Sequence, residues 1–520
     1  MHIVVGPSNE IQTNTVERIL KKGVRIWLEN GSLRFRAPKG VLTPEDIEAL
    51  KIARRSGMLA VLDERQTSDA SELNGMLGKC VSGPLSYSQL AHWNRYRLWE
   101  RPTIRQIAAI VRISGLLDVN LIKISLIEVA RRHDALRSRI RLEGDSPVQE
   151  VVGNSQPCMA MMDLESVDTG CRSADIARLL DALIMAPIDV QEGPLFQTML
   201  IRLSAGEHIL LVAMEHMISD ARSMNILLRD LFAIYGCSPS DKIGFLPEIP
   251  IQFVDYAARQ RGMESQWLKD YGEYWRCQMG GVRVAQFPSD RRDTAEHKPG
   301  WGASPLKIDK NLKIDLEAWS RAKRTTLVMT MLSVYVALVS RWCNVSDVVV
   351  QSESVGRSNS AIQHTIGYFA APLYLRIHAD DRTSFGDLLA QVTDEYCKAH
   401  EHVDYSYMES RVPPPEFTRC TGFNWIPTEI ENADSVVDSI GNKLTLEQIP
   451  FSHPMLETLQ SDKEPMALIY DIDGEIIGNV LFPRARFSCE LMERFTFNFV
   501  YFLTALLENA EQPIGHLDLR

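Results

Sequence analysis

The stretch from His208 to Leu231, HILLVAMEHMISDARSMNILLRDL, constrains this chain more than any other. Ile209 to Met214 is apolar and β-prone, whereas Met224, Leu227, Leu228 and Leu231 recur at i, i+3, i+4 and i+7, the spacing of one buried helical face. A strand must therefore end and a helix begin inside the polar cluster Glu215 to Ser223, which carries His216 and Asp220 four residues apart. Such ends suit reactive groups, because the scaffold behind them is rigid and the tip is open. Imidazole is the usual side chain for taking a proton from an amine or alcohol nucleophile at neutral pH, so His216 is the candidate base. Asp220 suits pairing with an arginine or capping the helix that follows. The residues also admit a surface histidine beside a capping aspartate. A metal site on Glu215, His216 and Asp220 is a third reading, disfavoured by the lack of a nearby second histidine or cysteine cluster.

Composition narrows the classes. A chain of 520 residues, 45% hydrophobic and 24% charged, fits two or three globular core-bearing units. A net charge of −11 argues against general nucleic-acid binding, which needs a basic face. Nine cysteines without CxxC pairing read as reduced thiols. No charged-then-apolar leader opens the sequence, and the longest apolar stretch, around Leu327 to Val339, is too short to span a bilayer. The expectation is a soluble, cytoplasmic protein without a membrane segment.

Near the N-terminus, GVRIWLENGSLRFRAPKG predicts a β-hairpin, because Asn30-Gly31 meets the positive φ that a two-residue type I′ turn demands. That turn sets Leu28 opposite Leu33, Ile26 opposite Phe35 and Trp27 opposite Arg34. Arg25, Trp27, Arg34 and Arg36 then share one face, and with Lys39 they form a basic, aromatic patch in an acidic protein. A short helix is expected around Thr15 to Lys22. A second helix, with Thr43 as N-cap and Pro44 at its first position, is expected to cover the hairpin's apolar face. The patch is either a solvated charged face or a docking surface for an acidic peptide, with guanidiniums pairing carboxylates and Trp27 as anchor. Residues 1–65 are read as this small domain, and 66–84, polar and rich in Ser, Asp and Gly, as a linker.

The segment EHMISDARS resembles the HHxxxDGxS motif of nonribosomal-peptide condensation domains, relatives of chloramphenicol acetyltransferase-type enzymes. Further matches follow in order: Leu85 to Gln89, Arg131 to Ser138, Met185 to Leu200, Val355-Gly356-Arg357, Ile366 to Phe369, His402 to Asp404, Phe423 to Trp425 and Gly474 to Phe482. The resemblance implies an α/β (α+β) fold of two chloramphenicol acetyltransferase-like lobes in a V shape, here 85–262 and 263–520. It implies that His216 lies in a tunnel between the lobes and serves as the catalytic base or orients the nucleophile. Asp220, the other catalytic-motif residue, is mainly structural in the family. Glu215 stands where the motif has its first histidine and Ala221 where it has glycine, while Ser223 completes it. Arg137 and Arg357 are the candidate partners for Asp220, and His133 reads as structural. Asp118 is expected to cap a helix whose apolar face carries Leu121, Ile124 and Ile127. Ala371 replaces an expected asparagine near the tunnel.

The hairpin region, about residues 14–65, resembles the β-hairpin docking domains of assembly-line subunits, which capture the C-terminal tail of an upstream carrier-protein subunit. Together the two resemblances imply a stand-alone, monomeric condensation enzyme. It would take an acyl chain from the phosphopantetheine thioester of an acyl or peptidyl carrier protein with an acidic C-terminal tail, and would need no cofactor or metal of its own. The acceptor would be a small-molecule or carrier-bound hydroxyl or amine. The architecture, with no adenylation motif or carrier attachment serine, leads to the expectation of chain release by ester formation, as in enacyloxin-type hybrid polyketide/peptide systems. Two rivals stay open: a coenzyme A-dependent acyltransferase, and a non-catalytic recruitment module of the same fold.

Overall fold

The structure is a computed structural model. It describes residues 25–29 and 32–36 and, from 82 to 520, all except 99–105, 154–156, 158, 167–168, 187, 238–245, 264–271, 292–299, 358, 404–418, 427–434, 438–440, 450–462 and 473. The chain divides into Met1–Lys79 and Cys80–Arg520. In the first unit Arg25–Glu29 pairs antiparallel with Ser32–Arg36, with Arg25 opposite Arg36, Ile26 opposite Phe35, Trp27 opposite Arg34 and Leu28 opposite Leu33. This is the register that a two-residue turn dictates. The two flanking helices, Lys39, the turn residues and the linker up to residue 81 lie outside the described residues.

The second unit is built on two six-stranded mixed sheets, each covered by helices. The first runs, edge to edge, Ser435–Val437, Lys443–Gln448, Gln106–Ser114, Glu207–Glu215, Phe196–Ser204 and Met159–Asp163. The second runs Trp301–Ile308, Glu475–Pro483, Met466–Ile472, Thr421–Ile426, Asp347–Ser354 and Ala371–His378. The helix Leu327–Cys343 is buried along nearly its whole length in the core of the second sheet. Its ends are defined by the Thr326 side chain, which accepts from the Met329 N–H at 3.2 Å, and by Asn344, left-handed at φ 52°. Its apolar run is core; among the described residues no single helix is long and apolar enough to cross a membrane.

One strand pairing crosses the expected lobe boundary, and one helix buries a different face from the one expected. Ser435–Val437 and Lys443–Gln448, from within the expected second lobe, pair into the first sheet, with Leu446 opposite Ile113. Leu444 and Leu446 bury there, and the strand Gln106–Ser114 becomes internal instead of presenting an open edge. The helix after Asp118, Val119–Arg132, is capped as expected, the Asp118 carboxylate accepting from the Asn120 and Leu121 N–H groups. Its buried face, however, is Ile122, Leu126, Val129 and Ala130, while Ile124 is 56% exposed and Ile127 37%. The sequence VNLIKISLIEVARR carries two overlapping apolar stripes, and the one packed in the fold is spaced i, i+4, i+7.

Candidate active site

The strand Glu207–Glu215 lies between Gln106–Ser114 and Phe196–Ser204, antiparallel to both, and is buried from His208 to its end. It stops at Glu215, whose N–H donates to the Leu195 carbonyl at 2.8 Å. One 3₁₀ turn, His216–Ile218, follows, and the helix Ala221–Tyr235 then starts. Ser219 stiffens the corner by donating its hydroxyl to the Glu215 carbonyl at 2.9 Å. Met224, Leu227, Leu228 and Leu231 all face the core, as their spacing predicts. His216 is thus held on a short turn between two rigid elements.

Asp220 is 3% exposed and caps the helix by accepting from the Ser223 N–H at 2.7 Å. Its carboxylate accepts four more bonds: Arg357 Nη1 at 2.9 Å, Arg357 Nη2 at 3.1 Å, and the Phe369 and Ala370 N–H groups at 3.0 and 3.2 Å. Ser223 reinforces the joint, its hydroxyl accepting from Arg357 Nη2 at 2.8 Å and donating to the Gly367 carbonyl at 2.7 Å. Of the two candidate arginines, Arg357 is the partner. Arg137 is spent elsewhere, donating to Asp134 Oδ1 at 2.5 Å and to the Ala130 and Val152 carbonyls. The distinction is positional: Arg357 follows a glycine with φ +64°, where an added Cβ would lie 1.8 Å from the Phe369 carbonyl oxygen. Only glycine lets that turn approach the 366–370 segment closely enough to aim the guanidinium at Asp220.

The segment after Thr365 therefore hangs on Asp220, and it brings Tyr368 to His216. The ring centroids of His216 and Tyr368 are 4.5 Å apart. A second imidazole, His92 from the helix Tyr87–Leu98, stands 5.3 Å from that of His216. Its Nε2 is 3.7 Å from Glu215 Oε1. His92 is a site residue that the sequence motifs do not single out. The available signal was its place one helical turn after Gln89, in a segment opened by a Ser86-x-x-Gln89 capping box. His133 is fully buried, Nε2 2.9 Å from Asp230 Oδ2, and burial lowers its pKa despite the raising effect of Asp230; its place is structural. Among the described residues no group of three His, Cys, Asp or Glu side chains is arranged to hold a metal ion. Ala221 opens the helix, and Ala371 begins the strand Ala371–His378 opposite Ser354.

The family model for the condensation domain matches residues 82–520, and that for the TubC N-terminal docking domain matches residues 14–64. A linear gramicidin synthase polypeptide of Brevibacillus parabrevis is 31% identical over 359 residues, which is 68% of this chain and 7% of that protein. The chain thus spans a small part of that relative. Among solved structures, SgcC5 from Streptomyces globisporus is similar at a TM-score of 0.66 and 23% identity, over 83% of this chain and 100% of that one. The EpoB cyclization-docking bidomain from Sorangium cellulosum is similar at 0.66 and 17% identity, over 96% of this chain and 99% of that one. At these identities the two structures share the fold.

Proposed function

The chain belongs to the condensation domain family of acyl- and peptidyl-transferring enzymes, and from that premise we propose that His216 is its catalytic base. The reaction is transfer of an acyl or peptidyl chain from a carrier-protein phosphopantetheine thioester to a hydroxyl or amine. His216 removes the acceptor's proton as its oxygen or nitrogen attacks the thioester carbonyl. The tetrahedral intermediate collapses, the C–S bond breaks, and the thiolate leaves with the proton held by the imidazolium. Asp220 is not a second base in this scheme, because its carboxylate already accepts five N–H bonds. It acts as a joint, tying the helix behind His216 to the turn of Arg357 and the segment of Tyr368. The observation that carries the proposal is His216 on its one-turn corner with the Tyr368 ring closed against it. The phosphopantetheine arm belongs to the carrier and brings the thioester. The finer form of the proposal is release onto a free alcohol with ester formation. Loss of acyl mass from a loaded carrier tests it directly.

Residues 14–64 are proposed to dock the acidic C-terminal tail of the upstream carrier protein, supported by the docking-domain match and by the paired strands Arg25–Glu29 and Ser32–Arg36, which carry Arg25, Arg34 and Arg36 against the single acid Glu29. Docking raises the local concentration of the thioester, so it acts on apparent affinity more than on chemistry. Reversing Arg25 and Arg34 to glutamate is expected to raise the carrier KM on the order of tenfold at low salt, with kcat unchanged. The difference should shrink as salt rises. An unaltered carrier KM at low salt would remove the hairpin from the docking surface.

A further inference from the structure

Glu215 immediately precedes the proposed base and is 1% exposed. A carboxylate withdrawn this far from water needs a cation or hydrogen-bond donors around it, or it is driven to its neutral form. One group that meets it is the His92 imidazole, itself 9% exposed, at the 3.7 Å separation of an ion pair. The motif's first imidazole is missing at 215, and an imidazole from a different element stands beside that position.

The helix Tyr87–Leu98 is fastened so as to place His92 there. Its start is a capping box: the Ser86 N–H donates to Gln89 Oε1 at 2.9 Å, and the Gln89 N–H to Ser86 Oγ at 3.2 Å. Gln89 then donates from Nε2 to the Met217 carbonyl at 2.9 Å, inside the turn that carries His216. His92, three residues on, lies on the same helical face. Ser88 donates to the Ala370 carbonyl at 3.3 Å, tying the helix to the segment that carries Tyr368. Between these ties three rings converge. His92 and His216 are 5.3 Å apart and tilted by 30°, and His92 meets Tyr368 edge-on at 6.2 Å.

We propose that His92 and Glu215 form a buried pair that positions His216 for the reaction. Glu215 holds the His92 ring, and the His92 and Tyr368 rings confine the imidazole of His216 to the orientation that meets the incoming nucleophile. The proposal rests on His216 being the base. His92 is a positioning residue, acting on the reaction through the ring it packs against. Misplacing a reacting group by a fraction of its contact distance costs rate far more than binding. The pair therefore belongs to kcat.

The test is steady-state kinetics of the full chain with an acyl-loaded carrier, for His92→Leu, His92→Gln, Glu215→Gln and the double variant His92→Leu/Glu215→Gln, alongside His216→Ala. His92→Leu and Glu215→Gln are each expected to lower kcat roughly 10- to 100-fold, with the carrier KM changed less than about twofold. His92→Gln keeps an N–H donor towards Glu215 and is expected to recover much of the loss. The double variant is expected to fall little below either single one, since the two act as a unit. Thermal midpoints identify any variant that fails to fold, in which case the two glutamine variants carry the comparison. Unchanged kcat in His92→Gln, His92→Leu and Glu215→Gln, or single losses that multiply in the double variant, overturns the pairing while an inactive His216→Ala keeps the base. A fully active His216→Ala removes the base itself, and the positioning role with it.

Discussion

His216→Ala is expected to lower kcat by about 10²- to 10⁴-fold, the range that a positioned general base supplies. In the proposed reaction the imidazole acts on a proton that moves only as the thioester is attacked, so kcat and kcat/KM should fall together. Carrier binding, measured with an unreactive loaded carrier, should be retained, because docking is assigned to residues 14–64 and not to this corner. The fold should survive as well. The corner is held by backbone bonds and by Ser219 and Gln89, and none of them passes through the His216 side chain. Unchanged product yield in this variant would mean that the imidazole neither moves nor orients the proton, and the chemistry would have to be assigned elsewhere.

The largest loss of stability is expected from Asp220→Ala. It removes five hydrogen bonds at once and leaves the Arg357 guanidinium, whose side chain is 3% exposed, without its counter-charge. Breaking one side of a buried ion pair costs about 3–5 kcal/mol, and losing a helix cap adds about 1 kcal/mol. Arg357→Ala should cost less. Asp220 would keep three backbone donors, those of Ser223, Phe369 and Ala370. The double variant should sit close to Asp220→Ala alone, since both act through one joint. Urea midpoints rank the three. Activity should fall with stability, because the segment that hangs on Asp220 also carries Tyr368. A stable but inactive Asp220→Ala would instead give the carboxylate a direct part in the chemistry.

What could be read from the sequence was what repeats or punctuates. The strand and helix on either side of His216 announce themselves by their apolar spacing, and the Asn30-Gly31 turn dictates the hairpin register found between Arg25–Glu29 and Ser32–Arg36. The rest was decided where tertiary packing chose between locally equal options. Nothing local separates Arg137 from Arg357 as the partner of Asp220; the choice is made by the close approach of the Gly356 turn to Phe369. The helix Val119–Arg132 offers two apolar stripes, and packing against the helix Ala221–Tyr235 selects the one that buries Ile122, Leu126 and Val129. The return of Lys443–Gln448 into the first sheet is a long-range pairing that no linear division anticipates. His92 escaped for the same reason, since its partner Glu215 is distant in the chain and its own helix is only weakly amphipathic.

The most direct test of the central claim is intact mass spectrometry of an acyl-loaded carrier protein with an acidic C-terminal tail. The carrier is incubated with and without this chain over a small set of alcohols and amines. Enzyme-dependent loss of the acyl mass, matched by an ester or amide product and abolished in His216→Ala, is the predicted result, and the product identifies the acceptor class. Carrier binding with the acyl mass retained across the whole set would contradict the account and make the chain a recruitment module.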